Sequence, residues 1–340
     1  MRRQLVYNIR QFFANKAVVL MYHRIAEPAS DVWEIAVSPQ NFELHLQVLK
    51  QVGNIVSLDE LSHRIKTKTL RRNSIAITFD DGYPDNLEVA MPLLEKYKVP
   101  ATFFITSGNI DTPNEFWWDE LEQLVLFTEQ LPRNISLKIG DTTLETNLGD
   151  EMRLSAVDEQ KHRDWKACTE PPPTGRAILF YKIWESLKPL PHRLQQQHME
   201  QVRALAKSAA LTRPGYRTMS RQELQALARS KQVTIAAHTV THPALAYHSS
   251  DYQQKEILAN KETLQEVIAK KIDLLSYPFG NFNDHTIDIV SKAGFTAAFS
   301  TEEVCAQNNV RPYKLGRFQV KNLSGEQLSS QLKIWKSQTQ

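Results

Sequence analysis

Two pairs of residues in this chain have the types and spacing to do chemistry together. The stretch "AITFDDGYPDN" (76–86) sets Asp80 beside Asp81 where an apolar run ends in a glycine turn, and "HTVTH" sets His238 and His242 four apart. On one helical turn that spacing aims two imidazoles at a common point, as in other His-x-x-x-His metal sites. A carboxylate from Asp80 or Asp81 would complete a two-histidine, one-carboxylate site with positions open for water and substrate. Adjacent residues in extended chain point opposite ways, so the two acids are expected to divide the work. One would hold the ion, and the other would take a proton from water whose pKa a cation such as Zn²⁺ lowers to about 7. Cobalt, manganese and iron suit the same donors. Each pair alone has a plainer reading. Gly82, Pro84, Asp85 and Asn86 are turn residues that would simply solvate two acids, and His-x-x-x-His also occurs on surface helices without metal. The apolar lead-in "IAITF" speaks against a plain turn.

Something must carry these residues to one place. Runs rich in β-branched and aromatic residues recur between helix-like segments: "VVLMYH" (18–23), "SIAITF" (74–79), "ATFFIT" (101–106), "VTIAAH" (233–238), "IDLLSYP" (272–278), "FTAAFS" (295–300) and "LGRFQV" (315–320). That rhythm predicts parallel strands with helical crossovers, an α/β fold. In such folds functional groups collect at the carboxyl ends of strands. His23, the Asp80-Asp81 pair, His238 and the turn Pro278-Phe279-Gly280 all follow strand-like runs, so four strands deliver candidates to one face. Capping boxes at Ser57 with Glu60 and at Ser220 with Glu223 predict helix starts. The segment 251–271 puts Ile257, Leu264, Val267 and Ile268 on one face and reads as a crossover helix. From about 109 to 213 the rhythm breaks. An aromatic helix-like start, a hairpin closed at Gly140-Asp141 and the proline run "EPPPTG" (170–175) read as an insertion in a barrel-like body, a cap over one face.

Composition narrows the function classes. The balance of 41 Lys+Arg against 38 Asp+Glu gives +3, which does not call for nucleic acid as a partner. Two distant cysteines, Cys168 and Cys305, fit a reducing compartment better than a disulfide framework. With no signal-peptide pattern at the start, a cytoplasmic protein is expected. Leu5, Val6, Ile9, Phe12 and Phe13 recur at helical spacing among Arg2, Arg3, Arg10 and Lys16, so residues 1–16 either pack on the body or lie on an anionic membrane surface. Oligomeric state is not legible.

The same residues resemble the polysaccharide deacetylases of carbohydrate esterase family 4, the NodB-homology group. "TFDDGY" (78–83) is similar to the family's first motif and "HTVTHP" (238–243) to its second. The resemblance runs from about Ala17 to about Leu323 and implies a distorted (β/α)7 barrel, TIM-like, over 1–340 as a single domain, with the inserted cap between early strands. It implies that Asp80 is the general base and that Asp81, His238 and His242 hold a divalent metal, zinc first among the candidates. The implied reaction is hydrolysis of the N-acetyl group of an N-acetylated carbohydrate with release of acetate, the alternatives being an O-acetyl esterase on the same fold or a non-catalytic glycan-binding protein.

Two motifs depart from the common form. Where many members carry Arg-x-Pro-Tyr, this chain has "SYPFGNF" (276–282), similar to a subgroup with a Tyr-Pro-Tyr-Gly version. The oxyanion donor would be the backbone amide of Phe279, with Pro278 and Gly280 fixing the turn. The arginine behind the base is missing from that motif, and Arg317 is the candidate replacement. The family's late Leu-x-His acid is also absent. In the subgroup with an N-terminal Tyr-His strand the histidine of that strand takes the role, which here is His23, with His285 as fallback. Tyr83, Pro278 and Arg317 are expected around the substrate, and Trp117, Trp118, Tyr83 and Phe282 could offer flat faces to sugar rings or belong to the core.

Overall fold

The structure is a computed structural model that describes residues 15–308 and 310–338. The stripe read as packing on the body or lying on a membrane surface, Leu5 to Phe13, lies outside them. No helix among the described residues is long and apolar enough to cross a membrane.

Seven parallel strands among the described residues form the barrel wall, β1 (Lys16–Tyr22), β2 (Ser74–Phe79), β3 (Ala101–Ile105), β4 (Val233–Ala237), β5 (Leu274–Ser276), β6 (Ala297–Phe299) and β7 (Phe318–Gln319), with the two-residue strands Asn54–Ile55, parallel to β2, and Ala306–Gln307, antiparallel to β1, added to the same sheet. The order is β6-β5-β4-β3-β2-β1, and β7 adds to the far side of β1. A parallel bridge from Phe299 to Leu315 joins β6 to the chain entering β7, so the sheet closes on itself as a distorted (β/α)7 barrel. Parallel strands covered by helices are buried on both faces and read as continuous apolar runs. All six residues of β2 are buried.

Strand alternation sorts those runs into two layers. Val18, Leu20, Ile75, Ile77, Phe79, Phe103 and Ile105 face outward onto the helices. Ala17, Val19, Ala76, Phe104, Ala236, Leu274, Phe299 and Leu315 face inward, and Leu58, Leu61 and Ile65 of the helix Leu58–Lys66 plug the amino end. Ala at many inner positions matches the narrow interior of a small barrel. Continuing the inner series past each strand end gives Asp80 from β2, His238 from β4 and Arg317 before β7. The barrel's own pleat therefore aims them at its carboxyl mouth.

The capping signals take two forms. Ser220 and Glu223 make the full reciprocal box at helix Arg221–Leu227. Ser57 accepts from the Glu60 amide, but the Glu60 side chain pairs with Arg64 instead of returning to the cap.

Between β3 and β4 the chain leaves the sheet. It forms helix Trp117–Leu126, the hairpin Asn134–Ile139 and Thr142–Asn147, and helices Ala156–Asp164, Gly175–Leu187 and His192–Leu205. Gly140 turns the hairpin in the left-handed region, φ 56°. These elements share a core of Trp117, Leu121, Leu124, Trp165, Phe180 and Ile183, and Tyr83 of the barrel belongs to that same core. Its polar anchor is Arg176, fully buried, whose guanidinium donates to the carbonyls of Glu151 (2.6 Å), Thr128 (2.5 Å) and Met152 (2.8 Å). Arg176→Met would leave those carbonyls buried without donors, at about 1–3 kcal/mol each before relaxation. We expect it to lower unfolding stability by about 3 kcal/mol in chemical denaturation; an unchanged midpoint would show that the arginine is not the anchor.

Candidate active site

The carboxyl mouth of the barrel opens into a cavity of about 310 Å³ that His23, Asp80, Asp81, His238, His242 and Phe279 all line. The two aspartates get there by different means. Asp80 is the last inward step of β2. Asp81 follows with φ 74°, and the Gly82 amide donates back to the Asp80 carbonyl at 2.9 Å, which makes a γ-turn centred on Asp81. Such turns are rare and strained for a residue with a side chain. The expectation that adjacent acids point opposite ways is corrected here, because the turn folds Asp81 back to the same face. Gly82 continues at φ 90°, a conformation open to glycine.

The two carboxylates nonetheless have separate partners. Arg317 forks onto Asp80, Nη1 to Oδ1 and Nη2 to Oδ2, both at 2.7 Å. The Ser276 hydroxyl adds a bond to Oδ2 at 3.3 Å. The guanidinium is itself fully buried and fixed by Ser300 O at 3.1 Å, Thr78 Oγ1 at 3.2 Å and Ser276 Oγ at 2.6 Å. Burial alone would raise the Asp80 carboxyl, but the Arg317 charge, with His238 and His23, holds it far below the usual carboxylate range.

Asp81 faces imidazoles. Its Oδ1 lies 3.5 Å from His238 Nε2 and 3.4 Å from His242 Nε2. One ligand atom from each of the three residues lies within 4.8 Å of the others. The donor set fits a cation on two observations. Asp81 Oδ1 is buried and has no hydrogen-bond partner, a costly arrangement unless something positive meets it. His238 Nδ1 lies 2.8 Å from the Ser276 carbonyl, which fixes the proton there and leaves Nε2 as a lone pair. Burial pushes His242 down to about 3, so that its ring is neutral and able to ligate.

The histidines do not share a helical turn. His238 to His242 is a loop in which Thr239 (φ 64°) and His242 (φ 57°) are left-handed, and the ring centroids end 4.8 Å apart. Two residues of helix Ser250–Ile268 hold that loop. Asn260 accepts from the His238 amide at 3.1 Å and donates to the Thr239 carbonyl at 2.6 Å, and Glu256 accepts from the amides of Val240 and Thr241. The sequence pattern marks this helix as an ordinary crossover, and the structure gives it this second task. The available signal was Glu256 and Asn260 at i and i+4 beside the apolar face, where buried polar groups must have partners.

Other candidates sort clearly. His23 lines the cavity and its Nδ1 is buried without a partner. Phe279 lies in a left-handed turn (φ 56°, ψ 11°), its ring 4.5 Å from His242. Gly280 is required beside it, since any Cβ there would collide with Thr301. Pro278 is buried and shapes the turn without lining the cavity. Arg317 is likewise shut behind Asp80, so its place is with that carboxylate and not with a substrate. Tyr83 is also corrected: it is fully buried, donates to Asp119 at 2.7 Å and accepts from Trp118 Nε1 at 3.1 Å. Its hydroxyl ties the aspartate turn to the insertion and offers no sugar face. His285 is exposed on helix Asp284–Lys292, away from the cavity. Phe282 stacks on Tyr277 at 4.5 Å, and Trp117 is core. Trp118 is core and cavity wall at once, with its ring 4.8 Å from His242.

The sequence profile described as polysaccharide deacetylase matches residues 67–127 and 194–298, two segments that carry both motifs and leave out only the middle of the insertion, 128–193. The chain belongs to the polysaccharide deacetylase family. The poly-beta-1,6-N-acetyl-D-glucosamine N-deacetylase of Staphylococcus aureus is 30% identical over 113 residues, 29% of this chain and 39% of that enzyme. Among solved structures, the Streptococcus pyogenes deacetylase PplD in complex with acetate superposes with a TM-score of 0.53 at 21% identity, covering 93% of this chain and 98% of that one. IcaB from Ammonifex degensii superposes with 0.57 at 17% identity, covering 95% and 97%. At these identities the structural likeness concerns the fold.

In this deacetylase-family site the Asp80–Arg317 pair gives a pH signature. Asp80 is depressed in the folded state, so it contributes stability above its unfolded pKa of about 3.9, and the contribution is lost as pH falls from there through the folded value. Arg317→Met removes that contribution and strands a buried charge, costing about 3–5 kcal/mol at pH 7. The deficit should shrink as denaturation is repeated toward pH 4 and below. A deficit independent of pH would mean that the arginine acts only by packing.

Proposed function

We propose that this chain hydrolyses the N-acetyl group of an N-acetylhexosamine-containing glycan or glycan precursor and releases acetate. The observation that carries the reading is the split of two neighbouring carboxylates: one clamped by an arginine, the other unpartnered before two imidazoles, both facing one cavity. Asp81, His238 and His242 would hold a divalent cation, zinc first among the ions that one carboxylate and two imidazoles suit. Bound there, the cation supplies the charge that acidifies water to a pKa of about 7 and polarises the acetamide carbonyl, which a base as weak as Asp80 requires.

The chain's own groups do the rest. Asp80 is ionised at every working pH; its Oδ2 accepts from both Arg317 and Ser276, while Oδ1 takes one bond from Arg317 and keeps a lone pair directed elsewhere. It takes the proton of the attacking water. The backbone amide of Phe279, in its left-handed turn at the cavity, would donate to the carbonyl oxygen as it becomes an oxyanion. His23, with Nδ1 otherwise unspent, gives a proton to the departing amine nitrogen. The S. aureus relative, an N-deacetylase of an N-acetylglucosamine polymer, supports the acetamide as the bond broken.

Acetate release from N-acetylglucosamine oligomers by the zinc-loaded chain, beside release from acetyl esters of the same sugars, tests the proposal. Preference for the acetamide is expected. Asp80→Asn should lower kcat by about 10²–10⁴. Turnover of the esters alone would make the chain an O-deacetylase, and undiminished release in the variant would remove Asp80 from the role of base.

A further inference from the structure

One wall of the cavity has no part in the chemistry above. Trp33, from the loop after β1, and Trp184 and Lys188, from the carboxyl end of helix Gly175–Leu187, line it together with Phe279. The rings of Trp33 and Trp184 are 4.6 Å apart. The Lys188 ammonium sits over two aromatic faces, 4.9 Å from the Trp184 centroid and 4.8 Å from that of Phe279. Cation–π attraction to both holds it at the cavity instead of letting it extend into bulk water.

That placement is costly for an ordinary lysine. Lys188 is half-buried, and burial lowers its pKa. Among the described residues no oxygen accepts a hydrogen bond from its Nζ, and the carboxylate that acts on it at a distance is Glu185, on the exposed side of the helix. Aromatic faces supply attraction but no acceptor, so three N–H donors stay available. Asp80 is engaged with Arg317, and Asp81 faces the two histidines, so neither carboxylate pairs with Lys188. A half-desolvated cation with free donors, beside two indoles suited to a sugar ring and against the turn at the reaction centre, is a receptor for a negatively charged group.

We propose that Lys188 is a specificity-determining residue that receives an anionic substituent, a carboxylate or a phosphate, carried by the acetamido sugar or by its neighbour in the glycan. The inference rests on reading the cavity as a deacetylase site. It makes acidic or phosphorylated acetamido glycans better substrates than neutral ones.

The test compares the zinc-loaded full chain with Lys188→Gln and Lys188→Arg on three matched oligomers of N-acetylglucosamine: neutral, carboxylate-bearing and phosphate-bearing. The wild type should favour one charged oligomer over the neutral one by about tenfold or more in kcat/KM, mostly through KM, a tenfold change being about 1.4 kcal/mol. Lys188→Gln should abolish that ratio and Lys188→Arg should retain part of it. Preference for the carboxylate or for the phosphate identifies which anion is meant. Equal kcat/KM on all three substrates, or a preference that survives Lys188→Gln, overturns the proposal. Calorimetric binding of the same oligomers reads the lysine without turnover. If no acetate is released from any of them, the function fails, while weaker binding of the charged oligomer by Lys188→Gln still supports the anion subsite and unchanged binding still overturns it.

Discussion

The ion pair between Arg317 and Asp80 is the interaction on which the rest of the site depends. Asp80 directly follows the second strand of the barrel, and Arg317 stands just before the last. The fork forms where the chain at Leu315 bridges to Phe299 and Phe318 pairs with Leu20, so closing the barrel and pairing the buried Asp80 charge go together. A buried pair of this kind recovers its desolvation cost only with good geometry and satisfied neighbours. Thr78, Ser276 and Ser300 provide those neighbours, and each lies at or next to a strand end.

The second constraint is the γ-turn. It lets one residue inherit the inward direction of the strand while the next is folded back to meet two imidazoles. The strain is held from both sides. Tyr83 is anchored in the insertion's core through Asp119 and Trp118, and Trp118 packs on His242, which faces Asp81. The insertion is therefore more than a cover. It braces the aspartate turn and the second histidine, and it brings Trp184 and Lys188 to the cavity.

Much of this was legible in the residues. The β2 run and its two acids, the histidine pair and the turn at Pro278 lie where a parallel fold sends its functional groups, and inward alternation through Ala76 and Thr78 leads to Asp80. The direction of Asp81 was not legible, because period-two reasoning ends with the strand and φ 74° in a non-glycine residue is a tertiary outcome. The histidine spacing suggested a helical turn for the same reason. Four residues bring two rings together either in a helix or in a loop with left-handed residues, and only Asn260 and Glu256, distant in sequence, select the loop. Tyr83 looked like a sugar platform beside its motif, yet the partners that bury it, Phe116 and Trp118, come from the insertion, whose packing no local pattern announces.

The central claim is that neighbouring carboxylates do different jobs, Asp81 holding a cation and Asp80 staying outside its shell. Calorimetric titration of Zn²⁺ into the metal-free chain, into Asp80→Asn and into Asp81→Asn tests it most directly, with circular dichroism reporting that each is folded. The account predicts one zinc per chain with similar affinity in the wild type and Asp80→Asn, and a loss of at least about tenfold in Asp81→Asn. Equal losses in the two variants, or tight binding without the Asp81 carboxylate, would contradict it.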